Sequence, residues 1–265
     1  MMRYFKFVSV FVAASLALAG WTAPASAFPV SLIDQNSSLT YNTTFGAINW
    51  TVDGTNNLFY ESYFVRIGNG PALELGGTDL GAGYNTGAPL SNPNGTTYDL
   101  GDYGKVRLTH ALFGGAPGSG ESLWRTSFNF TPEDSVDLTF YAYADYDLGG
   151  NFAPNDRAEY WGNGQFIQYD DIWRLSWDVL LDSDNPDHWT TRGYNGAGGA
   201  PAETAGNLND ISSYYGDPIF MAQWDNPTDF HVFRTIAPVP EPSTFLLLGG
   251  GLAGLASVIR RRKKD

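Results

Sequence analysis

Asp145-Tyr146-Asp147-Leu148-Gly149-Gly150-Asn151 sets side-chain oxygens two residues apart with a glycine at the sixth position, the spacing by which a loop wraps a calcium ion. The twelfth position is Asp156, where a helical calcium loop takes the longer, bidentate Glu, and no amphipathic helix flanks the run. An EF-hand is therefore not expected. Asp145, Asp147 and Asp156 are instead candidate ligands for a structural calcium ion among loops; the plainer reading is an Asp-rich turn closing the preceding strand. Asp182-Ser183-Asp184-Asn185-Pro186-Asp187 fits worse, because Pro186 takes a ligand position and Asp187 replaces the glycine. No other cofactor is expected.

Acid-base catalysis finds little support. A retaining glycosidase needs two carboxylates about 5 Å apart, and Glu61, Glu74, Glu121, Glu133, Glu159 and Glu203 lie too far apart in sequence to share a strand face. The pairs Asp145 with Asp147 and Asp182 with Asp184 are better explained by turns. His110, His188 and His231 lack HxH or HExxH spacing. Gly118-Ser119-Gly120 lies in a Pro/Gly turn without the strand-to-helix setting of a nucleophile elbow. The expectation is a noncatalytic protein. Sugar stacking is the remaining chemistry: Trp161 in Tyr160-Trp161-Gly162-Asn163-Gly164 and Trp189 beside His188 sit in turn-like settings, although a Trp in a β protein is more often core.

The elements that must position these groups are strands. Period-two alternation runs through Leu39 to Val52, Phe59 to Ile67, Val106 to Phe113, Leu123 to Phe130, Val136 to Ala144 and Phe230 to Ile236. In Val136 to Ala144 the apolar residues take one face and Asp137, Thr139, Tyr141 and Tyr143 the other, which predicts a half-buried strand. Ile172 to Leu181 fits a bulged strand or a short helix and is read as strand. Residues 68 to 104 hold ten glycines with Pro71, Pro89 and Pro93, and predict loops with short edge strands. Many short strands between Gly, Asn and Asp turns predict an all-β fold, an antiparallel β-sandwich or jelly-roll-like domain over residues 28–238.

Composition narrows the partners. Residues 28–240 carry eight basic against twenty-six acidic residues, a net charge of −18. A nucleic-acid partner is excluded, since phosphate backbones require a positive field. With no cysteine, the domain is held by core packing alone, and thiol chemistry is absent.

Both ends are apolar segments flanked by charge. Arg3 and Lys6, an apolar stretch from Phe7 to Ala19, and Ala25-Ser26-Ala27 before Phe28 form a signal peptide over residues 1–27, with Ala25 and Ala27 marking the cleavage site. At the other end Pro240-Glu241-Pro242 precedes an apolar run, Phe245 to Ile259, that stops at Arg260-Arg261-Arg262-Lys263-Lys264. Fifteen residues at about 1.5 Å each give roughly 22 Å of helix, short of the roughly 30 Å hydrocarbon layer. The run predicts a single short transmembrane helix and a marginal anchor. The five cations favour the cytoplasmic side, which leaves the body across the membrane. The prolines bias residues 238–242 toward an extended segment outside any sheet.

This order of tripeptide, short span and terminal basic cluster, over residues 239–265, resembles a PEP-CTERM sorting tail. The resemblance implies that Pro240, Glu241 and Pro242 are recognised by exosortase, a membrane transpeptidase-like enzyme of Gram-negative bacteria, during passage through the inner membrane. It further implies a mature form at the cell surface or outside the cell, in bacteria that make exopolysaccharide. The function expected is a noncatalytic cell-surface or exopolysaccharide-matrix protein; the alternative is a secreted carbohydrate-binding or sugar-active protein using the same route.

Overall fold

The computed structural model describes residues 29–44, 46–76, 84–85, 92–132, 137–150, 155–179, 185–193 and 207–239. The signal peptide, the Asp182 and Asp184 pair, and the tail from Pro240 with its apolar run and basic cluster lie outside the described residues. No helix among the described residues is long and apolar enough to cross a membrane.

Among the described residues eighteen strands form the fold, with two single-turn 3-10 segments, Gly101–Tyr103 and Leu148–Gly150. The first half of the chain contributes β1 (Pro29–Asp34), β2 (Ser37–Asn42), β3 (Gly46–Val52), β4 (Thr55–Asn56), β5 (Tyr60–Ile67), β6 (Ala72–Glu74), β7 (Tyr84–Asn85), β8 (Asn94–Asp99) and β9 (Gly104–Gly114). The second half contributes β10 (Ser122–Pro132), β11 (Leu138–Asp145), β12 (Asp156–Gly162), β13 (Gln165–Tyr169), β14 (Trp173–Val179), β15 (His188–Gly193), β16 (Ser213–Gly216), β17 (Pro218–Asp225) and β18 (Phe230–Pro238). One sheet runs β1-β2-β3-β5-β11-β17-β15, with β4 on β3 and β6 on β5; the other runs β16-β12-β13-β14-β18-β10-β9-β8-β7. The pairings between named strands are antiparallel, and the two sheets pack face to face as a sandwich.

Alternation explains most of these strands. Val106, Leu108, Trp124, Phe128, Phe230, Val232 and Ile236 point inward from β9, β10 and β18 and are buried in the core. The ambiguous segment from Ile172 forms the strand β14 as far as it is described, to Val179, and sends Leu175, Trp177 and Val179 inward. With no disulfide available, the sheets are held by rings: Phe230 stacks on Phe128 and on Trp224, both at 4.6 Å between centroids, and Phe166 stacks on Phe220 at 5.0 Å. Such pairs add about 0.5–1.5 kcal/mol each beyond their buried area.

Two expectations about burial need correction. The strand expected to be half-buried, now β11, is buried on both faces: Phe140, Ala142 and Ala144 face the main core, while Tyr141 and Tyr143 pack with Phe64, Leu208, Ile219 and Met221. Residues after Asn207 cause this by crossing the outer side of the sheet, where the Leu208 amide donates to Gln223 Oε1 at 3.0 Å and the Thr191 amide to the Ile211 carbonyl at 2.8 Å. Within the glycine-rich window, β8 is a six-residue strand largely buried against β9, longer and more central than the short edge pieces expected there.

The charged element of the core joins the sheets. Arg234 on β18 and Glu61 on β5 are both fully buried and form a bidentate ion pair, with Nε donating to Glu61 Oε2 at 2.8 Å and Nη2 to Oε1. Arg234 Nη1 donates to Thr126 Oγ1 at 2.9 Å, and the Tyr63 and Tyr146 hydroxyls donate to Glu61. The guanidinium lies 4.1 Å from the Trp124 ring. Burial alone would lower the Arg234 pKa; the Glu61 charge and the two tyrosines outweigh it, and the pKa is raised. Burial and then Glu61 push both tyrosines well above their ordinary range, so they remain hydrogen-bond donors.

Candidate functional site

The acidic loop closes β11, and the structure brings its first two aspartates together with a third that the sequence pattern missed. Asp145 is the last residue of β11, Asp147 follows in the turn, and Asp217 directly precedes β17. Ligand oxygens of the three lie within 4.8 Å of one another, the only such acidic group among the described residues. Antiparallel pairing explains the meeting, since Asp145 stands opposite Ile219 in the register of β11 and β17. Nothing in the sequence near Gly216-Asp217-Pro218 signals a ligand; only that pairing does.

Asp156 occupies a neighbouring position. It opens β12, and its Oδ2 accepts from Gln168 Nε2 at 2.6 Å, while the Leu148 amide also donates to the carboxylate. The same Gln168 nitrogen donates to the Tyr146 carbonyl at 2.6 Å, which ties Asp156 to the Asp145–Asp147 turn. Burial, followed by repulsion from Asp147, Asp217 and Asp156, raises Asp145 to about 8. Burial followed by Asp217 raises Asp147 to about 6, and burial raises Asp156 to about 7 despite its hydrogen bond from Gln168. Asp217 is also raised by burial.

The two candidate stacking residues have different surroundings. Trp161 is 57% exposed, its Nε1 donates to Glu159 Oε2 at 2.9 Å, and the Arg174 guanidinium lies 5.6 Å from its ring. Trp189 packs against the core and stacks on Tyr160 at 4.1 Å, with its Nε1 donating to Ser212 Oγ at 3.2 Å. Trp50, Trp124, Trp177 and Trp224 are core residues, as the composition of a β protein suggests.

Among the described residues, several of the groups considered for catalysis have structural partners. Glu61 is closed inside the core, Glu74 accepts from Tyr60 and Ser62, and Glu159 pairs with Arg157 at 2.5 Å. Burial and then the Arg234 charge lower His110 to about 3, so it is neutral at physiological pH; it accepts from Trp124 Nε1 at 3.3 Å. Gly118-Ser119-Gly120 lies in the loop between β9 and β10. There the amides of Gly118 and Gly120 donate to Asp53 at 2.6 and 2.8 Å, and those bonds lower the Asp53 pKa.

The sorting segment leaves the fold at the end of β18. Residues 238–242 were expected to stand clear of any sheet, but Pro238 is the final residue of β18, opposite Trp173, and the Val239 amide donates to the Ile172 carbonyl at 2.6 Å. The ladder to β10 has already ended at Ile236, so the missing N–H of Pro238 interrupts no pairing on that side. The domain and the start of the tail are thus continuous.

Comparison with known proteins separates the tail from the body. A protein family described as the PEP-CTERM protein-sorting motif matches residues 238–263. The chain carries that motif, which implies export and processing by exosortase. No curated protein matches the chain. Among solved structures, a bacterial glucoamylase complexed with acarbose is similar at a TM-score of 0.50 and 9% identity, over 80% of this chain and 34% of that one. This chain thus spans about a third of the glucoamylase chain, and at that identity the likeness is one of fold alone.

Proposed function

We infer that this chain is an exported, noncatalytic β-sandwich of the cell surface or exopolysaccharide matrix, sorted through its tail and released from the membrane near Glu241. The sorting motif, beginning at the last residue of β18, carries this reading. A cleavable leader over residues 1–27 and a short anchor over 245–259 complete the route. The noncatalytic assignment is supported by the partners of the carboxylates: Glu61, Glu74 and Glu159 are engaged in structural contacts.

A second reading, polysaccharide binding, draws support from Trp161. An exposed indole oriented by Glu159 and Arg174 has the stiffness a stacking platform needs. The half-buried Trp189 adds no second platform beside it.

The test is replacement of Pro240, Glu241 and Pro242 by alanine in the native host, followed by fractionation and immunoblotting. The expected result is accumulation of unprocessed chain in the membrane fraction and loss of the extracellular form. Processing at the parent level would contradict the reading.

A further inference from the structure

Asp217 is the single residue between β16 and β17, and those two strands belong to different sheets. The chain therefore changes sheet at this aspartate. On one side Asp145, at the end of β11, stands opposite Ile219; on the other, Asp156 opens β12 opposite Gly216. Carboxylates from both sheets and from the crossing residue converge on one corner of the sandwich.

We propose that Asp145, Asp147 and Asp217 bind one calcium ion, which clamps the two sheets together at this corner. The strongest support is a buried atom with nothing to bond. Asp145 is 2% exposed, yet its Oδ1 has no hydrogen-bond partner, and the adjoining buried Asp156 Oδ1 and Gln168 Oε1 are also without one. An orphaned buried carboxylate oxygen is costly, and one grouped with two further aspartates calls for a positive ligand. Among the described residues no Lys or Arg forms an ion pair with any of the three aspartates.

Donor chemistry selects the ion. Every ligand is a hard carboxylate oxygen, with no sulfur or imidazole to favour zinc or copper. Oxygens within 4.8 Å of one another need only small side-chain rotations for all three to close on one ion at the roughly 2.3–2.6 Å of calcium bonds. Asp147 and Asp217 are only partly buried, which leaves an open side for water in the irregular shell that calcium accepts and magnesium resists.

The test uses the full chain in mild detergent, stripped with EDTA and then melted with and without CaCl2. Calcium near a hundred times its dissociation constant raises Tm by about 5–10 °C, given the size of the domain, while NaCl at equal ionic strength leaves it unchanged. Asp217→Asn abolishes the rise, and its calcium-free form, with one like charge fewer, melts no lower than the stripped parent. Asp147→Asn gives the same answer should the first variant fail to fold. Coincident melting of the parent in CaCl2 and EDTA, an equal rise in NaCl, or a rise that survives both substitutions would overturn the proposal.

Discussion

Replacing Arg234 by methionine lowers the unfolding free energy by about 3–5 kcal/mol, read as an earlier urea midpoint with an unchanged slope. The loss does not come chiefly from Coulomb attraction. Methionine retains much of the apolar stem but loses the guanidinium that lies 4.1 Å from the Trp124 ring and 5.8 Å from the Trp177 ring. What remains is Glu61, fully buried and without its cation, still receiving the Tyr63 and Tyr146 hydroxyls but carrying an uncompensated charge. Removing both charges with Glu61→Leu and Arg234→Met recovers only part of the loss. The two tyrosine hydroxyls and Thr126 Oγ1, all partners of the pair, are then left inside the core without it. A loss under about 1 kcal/mol for Arg234→Met, the range of an exposed pair, would show that the ion pair does not hold the sheets together.

Gly46→Ala is the second large effect, and it acts on the same strand from the backbone side. Gly46 has φ +81°, and a Cβ there would stand 2.2 Å from the Glu61 carbonyl oxygen and 3.1 Å from Ser62 Cα. Neither contact is to a flexible side-chain end that could swing away. The substitution therefore combines left-handed backbone strain with displacement of β5, at a cost of about 3 kcal/mol or more. Gly54→Ala separates the two contributions, since Gly54 has φ +83° but nothing within 4 Å of the added Cβ. It should lose only about 1 kcal/mol. Equal losses at the two glycines would mean that the close approach to Glu61 costs nothing. Because Gly46→Ala shifts the backbone that carries Glu61, its effect and that of Arg234→Met should not add.

Local signals in the sequence were reliable where the physics is local. Alternation located β9, β10 and β18 because each has one core face and one outer face, while the segment that forms β14 fitted a bulged strand or a short helix equally. The sorting tail was legible because its three parts are contiguous. Residue pairs set by topology were not: Glu61 and Arg234 are separated by 173 positions, and Asp217 reaches Asp147 only because β17 pairs with β11. β11 misled because alternation reports one buried face, whereas the cover over Tyr141 and Tyr143 comes from the segment around Leu208, far along the chain. The prolines misled in the opposite way. Their pattern predicts that residues 238–242 stand outside any sheet, but the N–H that Pro238 lacks would face the side where pairing has already stopped.

The account places both processing sites outside the strands of the sandwich. Val239 is still held by the Ile172 carbonyl, so a cut just beyond it would leave β18 and the Arg234 pair in place. The intact mass of the protein purified from its native host tests this account most directly. The account predicts a chain that begins at Phe28 and ends near Glu241. A chain that still carries residues 1–27 and terminates at Asp265 in the cytoplasm would contradict it.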